Sequence, residues 1–229
     1  MSRLLLLSNS SNFNQKYLTH AKIELAQFLG EIKEVLFIPF AGVTITYDEY
    51  EEKVQKAFDE MGVKVNSIHR FENYEKAVSE AKAIVIGGGN TFRLMSLLQE
   101  NNLMRLIKKT VKSGTPYIGW SAGANIAGLS IKTTNDMPID EPKSFKALEL
   151  VPIQINPHFS NAVLPNHNGE TRLQRLQEFA QLNPNVLVIG LPEGTWLRFE
   201  NGVLNYHGDK DYLMIKGINI HYSQNKQII

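Results

Sequence analysis

The chain has 229 residues, 43% hydrophobic and 21% charged, with a formal net charge of +1 and no cysteine. Near-neutral charge removes the electrostatic case for nucleic acid or an anionic membrane as partner. The lack of cysteine excludes disulfides and a thiolate nucleophile without fixing the compartment.

The elements follow in chain order. Leu4–Leu7 is a short apolar run that reads as a buried strand, too short for a signal-peptide core. Leu18, Ala21, Leu25, Phe28 and Leu29 share one face of a helix predicted over 17–29. A strand is predicted over 34–40. A second amphipathic helix over 47–61 turns Tyr50, Val54, Ala57, Phe58 and Met61 inward. A strand over 63–68 and a helix over 73–80 follow. The strand at 83–86 runs into Gly87-Gly-Gly-Asn90 and a helix from Thr91. Helix continues over 103–113. A strand over 116–119 enters the turn Gly119-Trp-Ser-Ala-Gly123. Strands at 151–156 and 186–191 enclose a helix over 171–181. Trp196–Glu200, Asn201-Gly202 and Val203–Tyr206 form a predicted hairpin, and two short strands close the chain. No repeat, linker or apolar run near the roughly 20 residues of a membrane helix interrupts the pattern. The expectation is one α/β domain over 1–229, soluble and intracellular, with a mostly parallel sheet flanked by helices and a β-rich C-terminal part.

Gly119-Trp-Ser-Ala-Gly123 matches G-x-S-x-G, and it has the strand-to-helix setting that a nucleophile elbow requires. Glycines beside a strained turn keep side chains out of the nucleophile's way. The competing reading is that Ser121 only caps the helix. As a nucleophile, Ser121 would find one oxyanion donor in the Ala122 N–H and a second in Gly88 or Gly89. The Gly87–Asn90 loop lacks the further signature of a phosphate cradle.

A serine needs a base, and the base needs an orienting acid. Of six histidines, His158 stands out. It ends the strand-like run VPIQINPHF, so it should emerge at the sheet edge where Ser121 emerges. His167, in PNHNGE, is a second candidate. His20, His69, His207 and His221 have no visible link to the serine turn. Glu193, in Leu-Pro-Glu-Gly-Thr, and Asp136, in Thr-Thr-Asn-Asp-Met, are both candidate third members. Strand-end placement favours Glu193, and chain order decides nothing. No H-E-x-x-H or paired histidine spacing points to a metal, and no cofactor is expected.

Taken together, GGGN at Gly87, GWSAGA at Gly119, TTNDMPI at Thr133, NPHF at Asn156 and LPEGT at Leu191 resemble the peptidase E family of aspartyl dipeptidases. The resemblance spans essentially the whole chain, with no departure at the motif positions. It implies a fold similar to class I glutamine amidotransferases, with serine in place of cysteine. It also implies a cytoplasmic serine peptidase that removes N-terminal aspartate from Asp-X dipeptides. It maps the nucleophile to Ser121 and the base to His158. Both Asp136 and Glu193 match positions to which the third role has been attributed.

A substrate carboxylate is best held by a bidentate arginine. Arg172 is the first choice, ahead of Arg175 and Arg93. Glu170 or Asp136 is expected to receive the substrate ammonium, and Asn90 is a further substrate contact. Expected partners are small peptides, with neither nucleic acid nor membrane, and a monomer or a homodimer is equally compatible. The alternatives are a cyanophycinase-like hydrolase of β-aspartyl peptides, an esterase using the same turn, and a non-catalytic binding protein on the same scaffold.

Overall fold

The computed structural model describes residues 2–162 and 168–229. Strand β1 (Leu4–Leu7) is buried along its whole length. It runs parallel to a group made of β2 (Glu34–Ile38), β3 (Lys64–Ser67), β4 (Ile84–Ile86) and β5 (Tyr117–Trp120). The hairpin β8 (Trp196–Glu200) and β9 (Val203–His207) adds two antiparallel strands on the far side of β1. The seven-stranded order is β3-β2-β4-β5-β1-β8-β9.

The helices explain why the parallel strands are apolar on both faces. Leu5, Leu7, Val85, Ile118 and Trp120 pack on α1 (Lys22–Leu29) and α2 (Tyr47–Asp59). Leu4, Leu6, Ile84, Ile86 and Tyr117 face the other way. Their partners include α3 (Tyr74–Glu80), α4 (Thr91–Glu100), α5 (Leu103–Lys112) and the short α6 (Ala122–Asn125). The split follows the period of 2 along a strand. Local signals set the helix starts. Thr46 and Glu49 form a reciprocal capping box on α2, and Asn73 and Asn90 cap α3 and α4. The helix expected over 17–29 is broken near its start. Leu18 adopts φ 57°, a 3-10 turn spans Thr19–Ala21, and α1 begins at Lys22. Its apolar face is still buried as the spacing predicted.

The strands after Ser121 differ from expectation in one respect. β6 (Gln154–Asn156) and β7 (Val188–Gly190) do not extend the large sheet. With β10 (Tyr212–Lys216) and β11 (Asn219–Ser223) they form a second sheet, ordered β11-β10-β7-β6. The edge of β1 away from β5 is taken by β8, so neither strand continues the sheet there. Ile155 and Ile189 pack instead into the core under the large sheet. Val188, Leu213 and Ile215 pack on Leu176 and Ala180 of α7 (Arg172–Leu182). The β-rich C-terminal part is therefore divided between the two sheets. Among the described residues no helix is long and apolar enough to cross a membrane.

Candidate active site

Ser121 sits where β5 gives way to α6, with φ 52° and ψ −113°. A non-glycine residue held at positive φ is costly, and it persists where the surroundings over-determine it. Here the surroundings leave no room. A Cβ on Gly119 would lie 2.4 Å from the Gly123 carbonyl oxygen, and one on Gly123 would lie 2.2 Å from that of Ile86. The Tyr117 hydroxyl, buried in the core, donates to the Gly123 carbonyl at 2.6 Å. The two glycines of the motif are thus demanded by backbone contact, and the turn aims Ser121 Oγ out of the sheet.

His158 arrives from the second sheet, two residues past β6, also at positive φ (54°). Ser121 Oγ–H donates to His158 Nε2 at 2.8 Å, and His158 Nδ1–H donates to Glu193 Oε1 at 2.8 Å. The imidazole therefore has one nitrogen on a hydroxyl and the other on a carboxylate. The histidine side chain is 34% exposed and the glutamate 54%, so the relay is open to solvent on one side.

Three contacts fix the backbone around His158. The Ser8 hydroxyl accepts from the His158 N–H at 2.8 Å and donates to the Leu191 carbonyl at 2.7 Å. The Asn135 amide donates to the Pro157 carbonyl at 2.8 Å. The Arg172 guanidinium donates to the His158 carbonyl. Asn9 adds a link to the glutamate strand end, accepting from the Gly194 N–H at 2.7 Å. Ser8, Asn9 and Asn135 were not singled out from the sequence. The available signal was the Ser-Asn pair directly after the Leu4–Leu7 strand, at the same sheet edge as Ser121.

Asp136 is placed elsewhere. Its carboxylate accepts from the Thr91 N–H at 2.7 Å, the Thr91 hydroxyl at 2.5 Å and the Thr134 hydroxyl at 3.0 Å. It caps the start of α4, where a negative charge is favoured, and the carboxylate on the His158 ring belongs to Glu193. Asn90 is likewise committed. Its side chain accepts from the Arg93 N–H at 3.1 Å and donates to the Met137 carbonyl at 2.8 Å.

The Gly87–Asn90 loop borders the serine. Gly88 packs on it so closely that a Cβ would lie 3.0 Å from Ser121 Cβ. Gly88, Gly89, Asn90, Ser121 and His158 line one cleft of about 470 Å³, within the roughly 300–1,000 Å³ of small-molecule sites. Among the described residues no acceptor is present for the N–H groups of Gly88, Gly89 or Ala122.

On the other side of His158, Arg172, Glu170, Glu193 and Lys210 line a second hollow of about 670 Å³. Burial pulls the Arg172 guanidinium below its usual range, opposed by the charges of Glu193 and Asp136. It remains a cation and keeps donors beyond the one spent on His158. Arg175 pairs loosely with Glu170 at 3.8 Å, and Arg93 pairs with Asp140 at 2.8 Å, away from this hollow. His167 lies outside the described residues. Among those described, the residues within shared metal reach are Asp48, Glu51 and His69. Arg70 already pairs with both carboxylates, at 2.7 and 2.9 Å, and none of the three lines the cleft at Ser121.

The sequence model of peptidase family S51 matches residues 4–206. The chain belongs to peptidase family S51. Curated relatives in this family are similar over nearly their full length. A peptidase E of Nostoc sp. is 53% identical over 93% of this chain and 89% of its own. A peptidase E of Haemophilus influenzae is 49% identical over 94% of this chain and 100% of its own. Two solved structures share the S51 chain's fold at low identity. One is a peptidase from an acI-B1 actinobacterium, with TM-score 0.68 and 18% identity, covering 100% of this chain and 96% of that one. The other is a putative peptidase E protein from Listeria monocytogenes, with TM-score 0.62 and 22% identity, covering 97% and 98%.

Proposed function

We propose that this S51 peptidase is a serine dipeptidase that removes an N-terminal aspartate from Asp-X through an acyl-enzyme on Ser121. The observation that carries the reading is the unbroken Ser121–His158–Glu193 relay, both links at 2.8 Å.

His158 Nε2 takes the Ser121 proton as Oγ attacks the substrate carbonyl carbon. Glu193 holds the proton on Nδ1, which keeps Nε2 free as a base and stabilises the imidazolium. The Ala122 N–H and an N–H of the Gly88–Gly89 pair face the developing oxyanion. His158 then returns the proton to the leaving amine as the C–N bond breaks. Water, deprotonated by the same nitrogen, attacks the acyl-enzyme and releases aspartate. No step calls for a cofactor.

Arg172 receives the aspartate side chain, since it is the half-buried cation beside His158. Glu170 shares its hollow and receives the substrate ammonium; Asp136 instead holds Thr91 and Thr134 through Oδ2. A cytoplasmic setting goes with this reading, as the resemblance implies.

The test is hydrolysis of Asp-Leu beside Glu-Leu, Ala-Leu, acetyl-Asp-Leu and the β-linked β-Asp-Leu, by the unmodified enzyme and by Ser121→Ala. Release from Asp-Leu alone, lost in Ser121→Ala, is the expected result. Equal cleavage of Ala-Leu removes the aspartate claim. Preference for a β-aspartyl peptide turns the reading toward a cyanophycinase-like hydrolase.

A further inference from the structure

Tyr50 lies in α2, outside every motif named above, yet its hydroxyl reaches the site. It donates to the Gly88 carbonyl at 2.9 Å. It accepts from Trp120 Nε1 at 3.3 Å, and the Tyr17 hydroxyl lies 3.4 Å away. Trp120 directly precedes Ser121, so a single oxygen ties the glycine loop to the nucleophile turn. The tyrosine is itself held firmly. It is only 6% exposed, and its ring meets Phe37 edge-on with centroids 5.0 Å apart. A Cβ on Gly87 would lie 2.5 Å from the Tyr50 oxygen, so only glycine fits beside it.

The geometry of a peptide unit gives this contact a consequence. The Gly88–Gly89 peptide is trans, and in a trans unit the C=O and the following N–H point in opposite directions. The Gly88 carbonyl is turned to Tyr50, so the Gly89 N–H is turned away from it. Gly89 is exposed, lines the cleft with Ser121 and His158, and its N–H finds no acceptor among the described residues. A free peptide unit in a run of three glycines has little to prevent it from flipping.

We infer that Tyr50 is a positioning residue for the oxyanion site: by holding the Gly88 carbonyl it sets the Gly89 N–H, rather than that of Gly88, towards the reacting carbonyl oxygen. This rests on the reading of Ser121 as the nucleophile. The phenol is kept protonated because burial pushes its pKa up, so the donated hydrogen bond persists across the working pH range.

The test compares the unmodified enzyme with Tyr50→Phe, which keeps the ring and deletes the hydroxyl. Two readouts are taken: kcat and KM on Asp-Leu, and the rate at which a fluorophosphonate labels Ser121. The second needs the oxyanion donors but no aspartyl substrate. Loss of roughly tenfold or more in kcat, with KM within about twofold and a matching loss in labelling rate, is expected. A purely structural role lowers Tm without this split. Labelling of Tyr50→Phe at the unmodified rate overturns the inference, whatever happens to Asp-Leu. Labelling of the unmodified enzyme without Asp-Leu turnover removes the dipeptidase reading and leaves the Tyr50 comparison intact. No labelling of the unmodified enzyme overturns both. Should Tyr50→Phe fail to fold, glycolic acid at position 89 converts the amide to an ester and removes the N–H directly. The same loss in labelling rate is expected there, and an unchanged rate overturns the inference.

Discussion

The two halves of the site are built in different ways. Ser121 is posed mainly by its own neighbours: Gly119, Gly123 and Tyr117 all lie within four residues of it, and only the Ile86 carbonyl on the adjacent strand adds a distant wall, against Gly123. His158 and Glu193 are posed by residues far away in the chain. Ser8 is 150 residues from His158, and Asn9 is 185 from Gly194. The first half is a local backbone problem, solved by sterics. The second is a docking problem, in which a second sheet is pinned to the edge of the first by side-chain hydrogen bonds. Ser121 is therefore sensitive to covalent neighbours, and His158 to contacts that only the completed fold supplies.

The largest effect expected is on the local half. Ser121→Ala lowers kcat by on the order of 10⁶, to background, as loss of a nucleophile does elsewhere, while a thermal melt stays close to that of the unmodified chain. On the docked half, Glu193→Gln keeps the side-chain shape and removes the charge that stabilises the imidazolium. A loss of roughly 10⁴ in kcat is expected. Asp136→Asn is its counterpart. It removes the negative charge at the start of α4 and costs about 0.3–1 kcal/mol of stability, with kcat reduced no more than about tenfold. If Asp136→Asn instead abolishes turnover with its Tm intact, the roles given to the two carboxylates are reversed.

Ser8→Ala probes the docking itself. It leaves the His158 N–H and the Leu191 carbonyl without their shared hydroxyl, for about 1–3 kcal/mol of stability. Because one of these groups belongs to His158, kcat is expected to fall about tenfold with little change in KM. Loss of stability alone, measured by urea titration, would mean that the base is held by Asn135 and Arg172 without Ser8. The smallest effect belongs to a turn remote from both halves. Gly202 has φ 83° in the β8–β9 hairpin, with open space where a Cβ would stand. Gly202→Ala costs about 1 kcal/mol from backbone strain and leaves kinetics unchanged.

Much of this was legible in the amino-acid order. The alternation of apolar strands and amphipathic helices located the elements of the large sheet, and the glycines around Ser121 marked the turn, because each of those signals is local. His158 and Glu193 were legible as strand-end residues. What misled was the sheet they were assigned to, since a strand's apolar pattern does not say which edge it will join. The loop Thr-Thr-Asn-Asp-Met shows the same division. Its composition marked it as chemically unusual, and Asp136 competed with Glu193 as long as only order and motif were available. In the fold Asn135 steadies the histidine backbone and Asp136 caps a helix.

The sequence by itself determined the class of fold, the strand-to-helix turn at Ser121 and the short list of residues proposed around it. Periodicity and capping act over a few residues, and they can be read without knowing what lies opposite. Only the tertiary structure decided which carboxylate meets the imidazole, that Ser8 and Asn9 join the two sheets, and that Tyr50 reaches the glycine loop. Each of those depends on groups more than 30 residues apart arriving within about 3 Å of one another, and no local signal encodes such a distance.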